Sequence, residues 1–139
     1  AIELGFVDKA INMLEQVYCT QIHNDVALTL AKLYKEHGRF KDAEKTLLLA
    51  LETNGYDLDV SLNLASLYIL FQRYEKAKNL LLSLKNKFPD IEVIDFLLAE
   101  TYYYLSDKNT ARNILNKLIA STKSEYIRKH SENMLNTYK

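Results

Sequence analysis

One group of residue types returns every 34 residues along this chain of 139, and this period constrains its fold more than any other feature. The three copies align without a gap and hold Leu30, Ala31, Tyr34, Ala43 and Leu47, then Leu64, Ala65, Tyr68, Ala77 and Leu81, then Leu98, Ala99, Tyr102, Ala111 and Leu115. A fixed period of this length is typical of a repeat array, in which each unit buries its apolar side against its neighbour. The sequence therefore predicts a scaffold of equivalent units.

The spacing inside each copy predicts two α-helices joined by a short turn. Leucine, alanine and tyrosine share one helical face in the first half, and alanine and leucine lie four residues apart in the second. The expected N-caps are Asn24 or Asp25, Asp59, Asp107 and Ser124, and Gly38 is expected to end a helix with positive φ. The predicted helices cover residues 7–18, 24–37, 41–53, 59–71, 75–87, 92–105, 109–120 and 124–138, after a helix tail at 1–4 and a turn at Gly5.

These helices group into one domain of residues 1–139. We divide it into a partial repeat at 1–23, repeats at 24–57, 58–91 and 92–123, and a capping helix at 124–139. In this last helix, the side chains predicted to face inward are Ile127, His130 and Leu135, and those predicted to face water are Arg128, Lys129, Glu132 and Asn136. The chain begins within a repeat and without methionine, so we expect it to be a piece of a longer protein.

The pattern resembles the tetratricopeptide repeat (TPR). That repeat carries a large residue, leucine, glycine and tyrosine in its first helix, alanine and an aromatic residue in its second, and a proline near its end. In all three copies here, alanine replaces the glycine, leucine replaces the aromatic residue of the second helix, and the usual tryptophan is absent. The resemblance covers residues 24 to about 123, although only Pro89 keeps the proline. It implies an all-α fold, a right-handed superhelix of antiparallel helix pairs. The alanines that would face each other across these pairs are Ala31 and Ala43, Ala65 and Ala77, and Ala99 and Ala111.

The charge and cysteine content disfavour several functions. Eighteen basic and eighteen acidic residues cancel, which argues against nucleic acid or an anionic membrane as the main partner. Cys19 is the only cysteine, so no internal disulfide can form. No apolar run is long enough to cross a membrane and no signal peptide opens the chain. We therefore expect a soluble protein and leave its compartment open, with the cytoplasm or, in a bacterium, the periplasm as the alternatives.

The sequence shows no constellation of catalytic or metal-binding residues. His23, His37 and His130 stand more than ten residues apart, and no phosphate-binding or zinc motif occurs. Cys19 and His23 lie four residues apart, a spacing that a loop cysteine and a solvated histidine explain without chemistry. We therefore expect no enzymatic activity, no cofactor and no metal.

The resemblance to TPR proteins also implies a recognition surface, because the first helices of successive repeats line a concave groove in that family. The matching places here are Leu28, Lys32, Lys35, Leu62, Asn63, Ser66, Ile69, Leu70, Phe96, Leu97, Glu100, Tyr103 and Tyr104. Only Asn63 matches the set of asparagine, lysine and arginine with which one branch of the family binds a terminal carboxylate. The resemblance therefore implies an apolar and aromatic groove without that carboxylate clamp.

Within this groove, Phe96 and Tyr103 lie two turns apart on one helix, and Leu62 and Ile69 repeat the relation one unit earlier. We predict that the four form a continuous apolar strip. Two alternatives remain. The groove side chains can be buried by neighbouring helices, with Tyr103 and Tyr104 under the terminal helix. The binding face can instead lie on the outer side, where Leu48 and Leu82 fall one repeat apart.

These features predict a non-catalytic scaffold that binds a segment of a partner protein or peptide in the groove. One alternative is a self-assembly module that forms homo-oligomers through its open N-terminal face. Another is the regulatory domain of a larger enzyme. RNA binding, as in the related 35-residue pentatricopeptide class, is disfavoured by the uniform period of 34 and by the absence of a basic groove.

Overall fold

The computed structural model describes residues 8–16, 23–55 and 57–138 of the chain. These described residues form eight helices and no strand. The first helix, α1, covers residues 8–16. The others are α2 (Asn24–Glu36), α3 (Phe40–Asn54), α4 (Leu58–Leu70), α5 (Tyr74–Lys87), α6 (Glu92–Tyr104), α7 (Lys108–Ser121) and α8 (Glu125–Thr137).

The predicted helices from residue 24 onward are confirmed, with ends within two residues of the observed ones. The predicted helix tail at 1–4, the turn at Gly5, the two ends of the helix at 7–18 and the loop at Cys19 lie outside the described residues. No helix in the described part of the chain is long and apolar enough to cross a membrane.

The chain divides into two compact units, Ala1–Leu67 and Tyr68–Lys139. In the first unit α2 packs against α3, and both members of the alanine pair Ala31 and Ala43 are buried. The hydroxyl of Tyr34, which is also buried, donates a hydrogen bond to the carboxylate of Glu15 on α1. The Arg39 guanidinium lies over the same ring, 4.6 Å from its centroid. Tyr34 therefore links α2 to α1 and to the start of α3.

In the second unit α6 packs against α5 and α7, and α8 packs against α7. Ala99 and Ala111 are fully buried in one core cluster with Leu115 and Tyr138. The expected close approach of two alanines is therefore present between α6 and α7. Small residues at such a contact allow two helix backbones to come close, and the larger apolar side chains fill the space around them.

The three turns inside the repeats share one backbone geometry. Gly38, Gln72 and Ser106, spaced 34 residues apart, all adopt positive φ, at 71°, 64° and 68°. In each turn the amide of the following residue donates to the carbonyl of a tyrosine five residues earlier: Arg39 to Tyr34 at 2.8 Å, Arg73 to Tyr68 at 2.7 Å and Asp107 to Tyr102 at 2.9 Å. This is the Schellman arrangement, which satisfies carbonyls that a helix end would otherwise leave unpaired. The positive φ predicted for Gly38 is confirmed.

Substitutions at these turns are expected to change stability in opposite directions. Gln72→Gly and Ser106→Gly should each raise the free energy of unfolding by about 0.5–1 kcal/mol, because glycine adopts positive φ without steric cost. Gly38→Ala should lower it by about 1 kcal/mol. A Cβ at Gly38 would meet no atom within 4 Å, so this loss would come from backbone conformation alone.

Urea denaturation followed by circular dichroism measures these changes in stability. Asn79→Gly, at an exposed position inside α5, serves as the control and should lower stability because glycine weakens a helix interior. A destabilised Gln72→Gly protein would contradict the assigned backbone strain.

Two of the predicted helix caps are confirmed and two are wrong. Asp107 accepts a hydrogen bond from the Thr110 amide at 3.2 Å, and Ser124 accepts one from the Ile127 amide at 3.3 Å. The N-cap of α2 is His23, whose side chain makes no capping hydrogen bond, so Asn24 and Asp25 already lie inside the helix. At α4, Asp57 accepts the hydrogen bond from the Val60 amide at 3.0 Å, in place of the predicted Asp59. A capping side chain must precede the first turn, and Asp59 lies within that turn.

The predicted inner face of α8 is also partly wrong. His130 is exposed, whereas Ser131 is fully buried and Tyr138 is 6% exposed. Ile127, Ser131, Leu135 and Tyr138 recur at intervals of three and four residues, so they form the stripe that faces the core. His130 lies one position away from this stripe, which turns its ring toward the flank of the helix.

Candidate functional site

The predicted groove residues of the first unit lie on α2 and α4. Lys32 and Asn63 are exposed and line one small cleft, together with Ala31, Lys35, Leu47 and Leu67. The Asn63 amide nitrogen donates to the Asp59 carbonyl at 2.8 Å within its own helix. Ser66 is exposed on α4, while Leu28 and Leu62 are half-buried. The structure therefore brings together a polar part of the predicted groove in this unit.

In the second unit the predicted residues lie at the end of α4 and along α6. Leu70 is 58% exposed and Ile69 is half-buried. On α6, Phe96, Glu100 and Tyr103 recur at intervals of four and three residues, so they share one helical face. All three are half-buried, and Tyr104 beside them is 48% exposed. The continuous strip with Leu62 and Ile69 stays a prediction.

One end of this α6 face opens into a pocket between α6 and α8. We call it the α6–α8 pocket; it has a volume of about 150 Å³ and is lined by Glu92, Val93, Phe96, Tyr126, Ile127 and His130. Its walls are almost entirely apolar. The His130 ring packs edge-on against two others, with centroids 4.5 Å from Tyr126 and 6.1 Å from Phe96. Tyr126 is 73% exposed, so the pocket has an aromatic rim that solvent reaches.

Glu92 is the acidic residue of this pocket. It is the first residue of α6, where the helix dipole favours a negative charge. Its Oε2 atom is buried and has no hydrogen-bond partner among the described residues. Buried polar atoms in folded proteins are nearly always hydrogen-bonded, so an unpartnered carboxylate oxygen at a pocket wall requires an explanation.

The other end of the α6 face carries a cluster of tyrosines. The Tyr103 ring stacks on Tyr138 with centroids 3.8 Å apart, and the Tyr104 ring stacks on Tyr74 at 4.9 Å. Tyr103 and Tyr104 also contact each other edge to face at 5.7 Å. The predicted groove residue Tyr103 therefore packs against the residue that ends the terminal helix, as the burial alternative expected.

Burial raises the pKa of several groups around this tyrosine cluster. The first of these groups is the carboxyl of Glu100, one turn before Tyr103 and Tyr104, whose pKa is raised by burial. The pKa of Tyr104 is raised by burial and, to a lesser extent, by the negative charge of Glu100. The pKa of Tyr138 is raised strongly for the same two reasons. These hydroxyls are therefore protonated at neutral pH, and none of them is prepared to act as a base.

Sequence reasoning predicted Phe96 but missed most of the α6–α8 pocket. Glu92, Val93 and Tyr126 were not candidates, and Ile127 and His130 were assigned to the inner face of α8. Tyr126 and His130 lie four residues apart, a spacing that places two aromatic rings on one side of a helix. This spacing could be read from the sequence, but it does not indicate which other helix the two rings contact.

The outer face offers weaker candidates for function. Leu48 and Leu82 are 45% and 40% exposed. Leu82 also lines an open groove among α5, α6 and α7, where Lys85 and Asp95 form an ion pair at 2.8 Å. Isolated exposed leucines are common on protein surfaces and need no functional explanation.

Within the described residues, no group of three or more histidine, cysteine, aspartate or glutamate side chains could hold a metal ion. His23, His37 and His130 are exposed and lie on different helix ends or faces. The best-defined candidate site among the described residues is therefore the α6–α8 pocket, and its apolar and aromatic lining is suited to binding a ligand.

Comparison with known proteins identifies the repeat. The family model described as tetratricopeptide repeat matches residues 59–90 and 95–121. These matches coincide with the helix pairs α4–α5 and α6–α7. No curated protein sequence is similar enough to match this chain.

Solved structures show the same fold at low sequence identity. PcrH from Pseudomonas aeruginosa superposes with a TM-score of 0.69 and 21% identity, over 91% of this chain and 92% of PcrH. PcrH in complex with the chaperone-binding region of PopD gives 0.69 and 19%, over 85% of this chain and 94% of that one. A tetratricopeptide repeat protein from Parabacteroides merdae gives 0.75 and 18%, over 98% of this chain and 54% of that one. The segments 59–90 and 95–121 therefore match the tetratricopeptide repeat, and the chain has the all-α solenoid fold of these solved structures.

Proposed function

We propose that this protein is a non-catalytic scaffold that binds a segment of a partner protein along the half-buried face of α6 formed by Phe96, Glu100 and Tyr103. The observation that carries the proposal is the α6–α8 pocket, which combines apolar walls with an exposed aromatic rim. Ligand sites in proteins are typically concave and mostly apolar, with a few polar groups that fix orientation. One solved structure of similar fold, PcrH, is bound to a region of another protein, PopD, which supports a protein segment as the ligand.

The residues that we assign to this site fall into three sets. The anchor for a partner side chain is the α6–α8 pocket around Phe96. The adjoining surface along α6 consists of Glu100, Tyr103 and Tyr104. The groove residues Ile69, Leu70 and Leu97 of the second unit remain part of the proposed surface, with the pocket supplying most of the binding energy. Those of the first unit remain a separate predicted binding surface: Leu28, Lys32, Lys35, Leu62, Asn63 and Ser66. A few aromatic contacts in a desolvated pocket usually dominate such interfaces.

A peptide selection tests this proposal. Random short peptides displayed on phage are selected on the wild-type protein, and the dissociation constants of the enriched peptides are measured by fluorescence anisotropy. Tyr126→Ala should weaken these peptides about tenfold or more, because an exposed aromatic anchor is lost. Tyr126 is 73% exposed, so the change should leave the melting temperature nearly unchanged.

Leu82→Ala is the matched control, since it removes an exposed apolar side chain from a different helix surface. It should leave the affinities unchanged. Peptides that bind the wild type and both variants equally well would place the binding site away from the α6–α8 pocket. If selection yields no peptide and light scattering shows a stable oligomer, self-assembly would replace partner binding as the function of this chain.

A further inference from the structure

We infer that the α6–α8 pocket receives a cationic side chain, the ammonium group of a lysine or the guanidinium group of an arginine, presented by the partner segment. This inference rests on the proposed function, because it takes the cation from a bound protein segment. The structural features that support it are the Glu92 carboxylate, the aromatic rim and the charge along the α6 face.

The first feature is the lack of a partner for the Glu92 carboxylate. Its Oε2 atom is withdrawn from solvent and accepts no hydrogen bond from any described residue. The nearest arginine on α8, Arg128, is occupied elsewhere, since it donates to Glu125 at 2.8 Å and to the Thr122 carbonyl at 3.0 Å. The negative charge of Glu92 lies at the wall of an otherwise apolar pocket. An apolar guest would leave this charge uncompensated, whereas a cationic guest in the pocket would lie close to it.

The second feature is the composition of the walls. Phe96, Tyr126 and His130 present rings around the opening, and aromatic faces attract ammonium and guanidinium groups. The apolar remainder of the wall suits the methylene stem of lysine or arginine, which packs on apolar surface while its charged end finds a polar partner. The pocket volume of about 150 Å³ matches a cavity that holds benzene in another protein. It therefore admits one long side chain.

The third feature extends the argument along α6. Glu100 lies eight residues after Glu92, about 12 Å further along the helix, and it is half-buried on the same face as Phe96. The face therefore presents two carboxylates separated by an aromatic ring. Its charge complements a segment with basic side chains and disfavours an acidic one.

Small probes of matched shape test the inference without a known partner. The wild-type protein, labelled with ¹⁵N, is titrated with n-butylammonium, n-butylguanidinium and neutral n-butanol, and the backbone amide shifts are followed by NMR. The two cations should give saturable shifts at residues 92–96 and 126–130, and n-butanol should bind at least about tenfold more weakly. The tighter of the two cations distinguishes lysine from arginine as the partner residue.

Glu92→Gln should weaken this preference, because only the attraction of the aromatic rings to the cations remains. Glu92→Asp, which keeps the charge, should retain part of it. Glu132→Gln, an exposed carboxylate change on the outer side of α8, is the matched control and should change nothing. The ¹⁵N spectra of the variants report directly whether each one is folded.

Equal binding of n-butanol and the cations to the wild type would overturn the inference and leave an apolar pocket, with the scaffold proposal intact. The absence of shifts at these amides with every probe would also overturn it. Failure of the scaffold proposal gives a different result, namely selected peptides whose affinity does not depend on Tyr126. The two hypotheses therefore fail through separate measurements.

Discussion

Replacing Leu115 by alanine is expected to lower the free energy of unfolding by about 2–5 kcal/mol, because the change empties space in a packed core. Leu115 is fully buried and belongs to the same cluster as Ala99, Ala111 and Tyr138. The two alanines bring the backbones of α6 and α7 close together, so neighbouring side chains have little freedom to fill the cavity. A cost near the upper end of the range is therefore expected.

Urea denaturation of the wild type and the variant measures this loss. Leu82→Ala is the matched control, because it makes the same chemical change at a side chain that is 40% exposed. Exposed substitutions of this kind usually change stability by less than about 0.5 kcal/mol. Similar midpoints for Leu115→Ala and Leu82→Ala would show that the cluster around Ala99 and Ala111 is not a tightly packed core.

Tyr138→Ala is expected to produce a loss of similar size, about 3–5 kcal/mol, which is the usual cost of removing a large buried ring. Tyr138 is only 6% exposed, lies directly after α8 and stacks on Tyr103 with a centroid distance of 3.8 Å. Its removal should loosen α8 and expose the adjoining apolar side of α7. The variant should therefore melt earlier and aggregate more readily.

Two further variants separate the causes of this loss. Tyr138→Phe keeps the stacked ring and should preserve most of the stability. Tyr126→Ala removes a ring on α8 that is 73% exposed, and it should have little effect on the melting temperature. If Tyr138→Ala melts like the wild type, α8 is a tail rather than a cap. Differential scanning calorimetry and light scattering supply the two readouts.

The helices could be predicted from the sequence because one signal was repeated three times. Leucine, alanine and tyrosine at a period of 34 identified both helices of each repeat, and the buried residues Leu64, Leu81, Leu98 and Leu115 agree with that pattern. Agreement between separate copies removes the ambiguity that a single apolar stretch would leave. The family model then matched two of the same repeats.

Helix caps were predicted less well because neighbouring residues compete for the same role. Asp57 and Asp59 lie on either side of Leu58, and an aspartate at either position could cap the helix. The choice depends on where the first helical turn begins, which is set by backbone geometry over a few residues. The positive φ of Gln72 and Ser106 was missed for a related reason. Neither is a glycine, and packing of the flanking helices overrides their local preference.

The candidate site was predictable only in part, because a pocket depends on how two helices meet. The resemblance to TPR proteins implied that Phe96 lies in the groove, and its spacing of seven residues from Tyr103 predicted that the two rings share one face of α6. The facing residues Tyr126 and His130 lie on α8, and their position over Phe96 depends on the angle at which α8 packs. No pattern within one helix encodes that angle. The sequence therefore identified one residue of the α6 wall, Phe96, and no binding residue of the α8 wall.

The shared turn at residues 38, 72 and 106 makes these positions equivalent joints in the chain. Each joint is closed by hydrogen bonds between main-chain atoms, from the following amide to a tyrosine carbonyl. Because side chains play no part in these bonds, the same closure forms at all three joints although the flanking sequences differ. A shuffled protein in which residues 39–72 and 73–106 exchange places would keep all three closures. Such joints make duplication or loss of a whole repeat a small genetic step, since the same main-chain closure can form when a segment of 34 residues enters or leaves.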